Sequence, residues 1–300
     1  MTTNIKSWIS AFRLRTLPLA IAGIGMGGFL AASVGGFQLD IFLLTILTAI
    51  LLQILSNVAN DYGDSINGAD NEERVGPSRA VQDGLISSAA MKSAMIIFIV
   101  LSLVSGVTLL YVAFGWNVQG FSVFLGLGLL SVLAAIAYTV GKKPYGYIGL
   151  GDISVLIFFG LLGVIGSFYL QTKILSWQYF LPALSCGLFS IAVLNVNNIR
   201  DIESDTLAGK YSIPVRIGRK KAIKYHWFLL IAGFSSAVIY TILNFESINQ
   251  LLFLAVVPML FKNGIAIAEK PSSQLDPYLK QMAMTTLFFV LSFGTGLLIT

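Results

Sequence analysis

The run Ile41-Phe42-Leu43-Leu44-Thr45-Ile46-Leu47-Thr48-Ala49-Ile50-Leu51-Leu52-Gln53-Ile54-Leu55-Ser56-Asn57-Val58-Ala59 passes without a break into Asn60-Asp61-Tyr62-Gly63-Asp64. The first part carries no charge and is near the ~20 residues that cross a bilayer core. The second sets two carboxylates against hydrocarbon. A carboxylate there is costly and persists where it faces a wet cavity, pairs with a cation or binds metal. The pattern returns further on, where the apolar stretch 178–198 runs into Arg200-Asp201-Ile202-Glu203-Ser204-Asp205.

With 56% hydrophobic residues, 11% charged and a mean hydropathy of +0.83, the chain lies outside the range of soluble domains. Apolar runs fall at about 17–37, 41–59, 89–114, 119–140, 150–170, 178–198, 226–243, 249–268 and 281–299. They predict an all-α polytopic membrane protein of nine spans, one domain over 1–300. Glycines in the first, fourth and fifth spans suit close helix packing.

Basic residues set the orientation. With the N-terminus on the positive side, that side collects every one of the 19 Lys and Arg except Lys173, and every acid except Asp40 and Glu246. The positive-inside rule makes it the cytoplasm. Topology anchoring accounts for Lys220, Lys221 and Lys224, but not for the acids. The N-terminus shows no small-residue cleavage pattern, so a retained first span is expected. Segment 5–15 reads as a short interfacial helix with Ile5, Trp8, Ile9 and Phe12 on one face. The single cysteine, Cys186, excludes an internal disulfide, and the single histidine, His226, reads as a structural residue at a span start.

Asp61 and Asp64 are three apart, Asp201 and Asp205 four apart, so on continuous helices each pair shares a face. Two such faces would hold Mg²⁺, which takes one or two protein carboxylates together with substrate phosphate oxygens. The segments around them, about 57–88 and 195–224, have the same build. Asparagines precede the acids (Asn57 and Asn60; Asn195, Asn197 and Asn198), and Gly68 and Gly209 each follow the second acid by four residues. The likeness of the two segments points to a degenerate duplication around a shared cavity. Arg74, Arg79, Lys210 and Arg216 lie inside these loops, as guanidinium forks and point charges suited to a diphosphate. Asn57, Asn198 and Arg200 beside the acids are expected as further substrate contacts. The third polar loop brings Tyr138, Lys142 and Lys143, two more tyrosines, and Asp152 at a helix start, where an acid could simply cap.

Taken in order, Asn60-Asp61-x-x-Asp64, Gly68-x-Asp70, Arg74-x-Gly76-Pro77-x-Arg79-Ala80, Tyr138-Thr139, Gly149-Leu150-Gly151-Asp152, Asn197-Asn198-x-Arg200-Asp201-x-x-x-Asp205, Gly209-Lys210 and Val215-Arg216-x-Gly218 resemble the UbiA-type intramembrane prenyltransferases. More narrowly they resemble the branch that prenylates 1,4-dihydroxy-2-naphthoate in menaquinone synthesis. Arg15-Thr16-Leu17-Pro18 extends the likeness to the first span. Gly68 stands where the wider superfamily has a third acid.

The resemblance implies nine helices around a central cavity under cytoplasmic cap loops, in the bacterial inner membrane. It implies Mg²⁺ held by Asp61, Asp64, Asp201 and Asp205, catalysis through Asp64, Asp205 and Asn60, and a polyprenyl diphosphate donor with an aromatic acid acceptor. Arg15, Lys142 and Lys143 are the candidates to pair with the acceptor carboxylate. No nucleic-acid partner is expected. A 4-hydroxybenzoate acceptor is the nearest alternative. A transporter would also set acids in a cavity, but would not ordinarily need two Asn/Asp loops with interleaved phosphate-binding cations.

Overall fold

The computed structural model describes residues 5–67 and 79–299, so Asp70 and Arg74 lie outside the described residues. Every regular element it describes is helical. A short helix α1 (Ile5–Phe12) is followed by α2 (Leu17–Ser33), α3 (Leu39–Ile66), α4 (Ser88–Phe114) and α5 (Val118–Ala137). Next come α6 (Gly151–Val155) and α7 (Ser167–Thr172), joined by the π-helical stretch Leu156–Gly166, and α8 (Phe180–Arg200). Two short helices, α9 (Ile202–Leu207) and α10 (Ile213–Ile217), precede α11 (Arg219–Leu243), α12 (Val257–Glu269) and α13 (Asp276–Leu298). Nine stretches among the described residues are long and apolar enough to cross a membrane, in the order expected.

The helix ends differ from the apolar runs, and the difference places the site. At 1.5 Å per residue α3 is ~42 Å long, against a hydrocarbon core of ~30 Å. Its last turns therefore project beyond the apolar zone and carry Asn60, Asp61 and Asp64 on helix, so residues 57–66 of the segment expected as a loop at 57–88 are helical. The second acidic segment behaves otherwise. Asp201 leaves helical geometry (φ −99°, ψ 16°) at the end of α8, and α9 restarts at Ile202. The bond from the Asp205 N–H to the Asp201 carbonyl, 2.8 Å, keeps the four-residue spacing across that break.

Three apolar clusters build the bundle, the smallest of them joining Ile41 of α3, Leu109 and Leu110 of α4 and Leu170 of α7. One joins α2, the π stretch, α8, α11, α12 and α13. Another joins α1, α3, α4 and α5. Lipid is as apolar as leucine, so close contact has to come from shape. Glycines supply it where α2 meets the π stretch: a Cβ on Gly23 would lie 2.7 Å from the Phe159 carbonyl, and one on Gly27 only 1.9 Å from Ser167 Oγ. Gly160 and Gly187 do the same between the π stretch and α8. Gly126 and Gly128 in the fourth span do not, since nothing lies within 4 Å of either. Helix α5 packs on α3 and α4 through other residues, and Gly128 borders a hollow.

Helix α1 turns into α2 through Arg13, which adopts left-handed geometry at φ 48°. The Thr16 hydroxyl donates to the Arg13 carbonyl at 2.9 Å, and Asn57 donates to the Phe12 carbonyl at 2.9 Å and to Thr16 Oγ1 at 3.1 Å. Trp8 and Phe12 pack inward against the second cluster, while Ile5 and Ile9 stay exposed on the outer side. That arrangement suits a helix lying at an interface.

Candidate active site

A cavity of 390 Å³ lies among the clusters and is lined by members of all three. Most of its wall is apolar, from α2, α3, α4, α5 and the π stretch, with Phe158 and Phe159 presenting aromatic rings. One end is polar: Arg13, Asn57, Asn60, Asp64, Arg79, Tyr138, Asn198 and Lys210 all line it. The two motif segments, far apart in sequence, thus converge on one space.

Asp64 is the carboxylate that faces this space. It accepts from Tyr147 Oη at Oδ1 (2.7 Å) and from Arg79 at Oδ2. Arg79 also donates to the Asn60 carbonyl at 3.2 Å. Asp205 lies behind Lys210, whose Nζ is 3.2 Å from its Oδ1. The other oxygen of Asp205, Oδ2, is buried without a hydrogen-bond partner. Burial pushes the Asp205 carboxyl above the ordinary carboxylate range; Lys210 opposes the shift, and Asp201 and Asp64 add to it. Burial and the neighbouring Asp64 likewise raise the Tyr147 phenol, which therefore stays a hydrogen-bond donor.

The other two acids have arginine partners. Asp61 sits 2.5 Å from Arg13 and 3.8 Å from Arg79. Asp201 is gripped by Arg200 at both oxygens, Nε to Oδ1 at 2.8 Å and Nη2 to Oδ2 at 2.7 Å. Among the described residues no group of three or more His, Cys, Asp or Glu is arranged to hold a metal ion. Asp64 and Asp205 are near enough for the charge of one to act on the other, and two carboxylates are what Mg²⁺ typically takes from a protein, since that ion completes its shell with water and phosphate oxygens. The unpartnered Oδ2 of Asp205 is an acceptor that a hard cation fits. Arg79 and Lys210 balance the charge of the two acids.

The remaining nominated residues divide by position. Asn60 accepts from Thr139 Oγ1 at 3.2 Å, and Asn198 and Tyr138 border the cavity. Arg200 is spanned between Asp201 and Asp276, the latter at 2.6 Å, so it ties α8 to α13. Arg216 is exposed and donates to the carbonyls of Tyr211 (2.9 Å) and Ile148 (3.0 Å), stapling two loops. Lys142 and Lys143 are exposed and do not line the cavity. Arg15 pairs with Asp276 at 3.1 Å and is likewise outside the lining. Asp152 does not cap its helix; it accepts from Tyr225 Oη at 2.7 Å.

Two residues that sequence reasoning passed over belong to this site. Arg13, which in the sequence is only the basic end of an interfacial helix, reaches the cavity and Asp61. Tyr147, which in the sequence looks like an anchor, holds Asp64. The third loop is seated by Gly63, where a Cβ would lie 2.5 Å from Thr139 Oγ1, and by Asn67, which donates to the Thr139 carbonyl at 2.7 Å.

A helical membrane bundle with paired acids, cations and an aromatic-walled cavity defines a class, and comparison with known proteins narrows it. Residues 19–293 match the UbiA prenyltransferase family, and the chain belongs to that family. It is 45% identical over 299 residues to the 1,4-dihydroxy-2-naphthoate octaprenyltransferase of Haemophilus influenzae, covering 99% of this chain and 97% of that one. It is also 45% identical over 296 residues to the enzyme of the same name from Escherichia coli K12, covering 96% and 95%. The fold matches the structure of a UbiA homolog from Archaeoglobus fulgidus bound to DMAPP and Mg²⁺, with a TM-score of 0.62 at 16% identity over 98% and 99% of the two chains.

Proposed function

We propose that this chain transfers a polyprenyl group from an all-trans polyprenyl diphosphate to 1,4-dihydroxy-2-naphthoate, with loss of the carboxylate, giving demethylmenaquinone for menaquinone synthesis. The observation that carries the chemistry is the meeting of Asp64, Arg79 and Lys210 at the polar end of an apolar cavity, with Asp205 directly behind Lys210. The choice of acceptor rests on the 45% identity to naphthoate prenyltransferases over nearly the whole length. By the names of those relatives the donor carries eight isoprene units. We place the chain in a bacterial cytoplasmic membrane with the acidic segments on the cytoplasmic side, because the Lys and Arg gather there.

Asp64 and Asp205 are the residues that would hold Mg²⁺, with Asp61 and Asp201 as the outer acids. Bound there, the ion would supply charge neutralisation for the diphosphate as a leaving group. Arg79 and Lys210 bind the same diphosphate oxygens through charge-assisted hydrogen bonds. Asn60, set by Thr139, orients the polar end. The allylic C–O bond breaks with its electron pair going to the diphosphate, and Phe158, Phe159 and the aliphatic wall keep water from the cation left behind. Ring faces stabilise that positive charge. The ring carbon that bears the carboxylate then forms the new C–C bond with the cation, and the carboxylate departs as carbon dioxide, its bonding pair restoring the aromatic ring. Arg13 is the cation that borders the cavity from the interfacial helix, and it replaces Arg15, Lys142 and Lys143 as the candidate partner of the acceptor carboxylate.

The test is a product assay. Purified protein with an eight-unit prenyl diphosphate, the naphthoate and Mg²⁺ should yield a prenylated naphthalene lacking the carboxyl carbon by mass spectrometry. EDTA should abolish the product and added Mg²⁺ restore it. Turnover by protein shown to be metal-free would defeat the metal assignment. Product from 4-hydroxybenzoate but not from the naphthoate would move the acceptor and leave the diphosphate chemistry standing.

A further inference from the structure

Ser154 lies on α6 and lines the central cavity together with Tyr145. Its Oγ stands 3.0 Å from Tyr145 Oη, and Tyr145 donates to the Ala134 carbonyl at 2.9 Å. A phenol has one proton and a carbonyl only accepts, so the Tyr145 proton is committed to Ala134. The Ser154 proton therefore goes to Tyr145, and what Ser154 has left to offer the cavity is lone pairs. Burial raises the Tyr145 phenol above its ordinary value, so it keeps its proton at neutral pH and the direction of this chain is fixed. Other hydroxyls of the wall behave differently. Thr45, Thr48, Ser131 and Ser167 border the same cavity, and each donates to the carbonyl four residues back on its own helix. Ser154 is turned off its helix and held by a phenol from the third polar loop.

Packing sets the level of this serine. A Cβ on Gly151 would lie 2.9 Å from Tyr138 Oη, so α6 begins beside the polar end of the cavity. Ser154 follows three residues on, ~4.5 Å further along the axis. Resting on the naphthoate-transfer reading above, we propose that Ser154, aimed by Tyr145, accepts a hydrogen bond from the C4 hydroxyl of the acceptor ring and so makes the site selective for it. The two ring hydroxyls differ in what they need. The one at C1 stands beside the carboxylate and turns its proton to it. The one at C4 has no such neighbour, and burying it without an acceptor is costly. Arg13, the candidate partner of the carboxylate, reaches the cavity from the side of Asp61 on α3, whereas Ser154 comes from α6, next to Val155 of the first cluster. The ring is thereby gripped at two different substituents from two different clusters. Tyr138, edge-on to Tyr145 with centroids 5.3 Å apart and planes at 85°, borders the same space and offers the ring an aromatic surface.

The full-length protein tests this with two acceptors, 1,4-dihydroxy-2-naphthoate and its 4-methoxy analogue, which keeps the ring oxygen and lacks its proton. Ser154→Ala should lower kcat/KM for the diol about fivefold, through KM, and change that for the methoxy analogue less than about twofold. KM for the prenyl diphosphate should stay where it is. Tyr145→Phe touches no substrate but leaves Ser154 to bond to the Leu150 carbonyl four residues back, so it should act in the same direction, more weakly, and again on the diol alone. Quenching of the naphthalene's own fluorescence gives Kd without turnover, and Ser154→Ala should weaken the diol by a similar factor. Equal losses with both acceptors, as a structural defect would give, or no loss with either, would overturn the proposal. Product from 4-hydroxybenzoate but not from the naphthoate would reject the reading beneath it. The same variants compared on 4-hydroxybenzoate and 4-methoxybenzoate would then decide whether Ser154 recognises a hydroxyl: a loss confined to the hydroxylated acid supports that role, and equal effects end it.

Discussion

Asp64 and Asp205 are both buried, yet their surroundings differ: Asp64 has donors at both oxygens, whereas Asp205 keeps one oxygen without a partner. Asp64→Ala and Asp205→Ala should each lower kcat/KM at least about a hundredfold, a loss of ~2.7 kcal/mol of transition-state stabilisation. Asp40→Ala is the control, because Asp40 only accepts from the Ile41 N–H at the far end of α3. Motif variants that fold and turn over like the control would remove the paired acids from the mechanism. Tyr147→Phe deletes one hydrogen bond to a charged carboxylate, a contact worth ~1.5–3 kcal/mol, and should cost roughly tenfold or more in kcat/KM. The acids were legible in the sequence because a carboxylate beside an apolar run is costly and is kept where a cation, a metal or a wet cavity meets it. Tyr147 was not, because three tyrosines share its loop and only the fold decides which one meets Asp64, 83 residues away. Arg13 escaped for a similar reason: in the sequence it looks like any basic residue at an interface.

Helices were legible as apolar runs but not as helices with ends. Hydropathy marks the part that sits in hydrocarbon, so it missed the extra turns that carry Asp61 and Asp64 on α3 and the basic first turns of α11, which begins at Arg219. It also missed the break at Asp201, which depends on a bidentate grip by Arg200 and an anchor on α13. Packing by glycine was readable as composition but not as location. Gly27→Leu should destabilise the bundle, since its first side-chain atom already lies 1.9 Å from Ser167 Oγ and 2.6 Å from the Val164 carbonyl. Overpacking costs typically ~1–3 kcal/mol, and here a backbone oxygen is in the way, so a clear fall in Tm in detergent is expected. Gly128→Ala on α5 meets nothing within 4 Å and should leave Tm unchanged or slightly raised. If both variants melt alike, the contact between α2 and the π stretch is not what holds that side of the bundle.

At the scale of the whole molecule, three apolar clusters enclose a space whose polar end is made by segments from both halves of the sequence. The lopsided charge pattern follows the same axis: the acidic segments and nearly all Lys and Arg lie at one end, with Asp40, Lys173 and Glu246 at the other. Such a distribution sets orientation, because basic loops are retained on the cytoplasmic side. Asp40 and Lys142 are both exposed, on opposite ends of the bundle, and Cys186 is buried, so single introduced thiols can report the orientation against a silent background. In intact bacterial cells, a membrane-impermeant maleimide should label Asp40→Cys and spare Lys142→Cys. After permeabilisation it should label both. The reverse pattern would put the acidic end outside the cell, away from the cytoplasmic pool of Mg²⁺ and diphosphate donors. The charge asymmetry would then reflect lipid contacts alone.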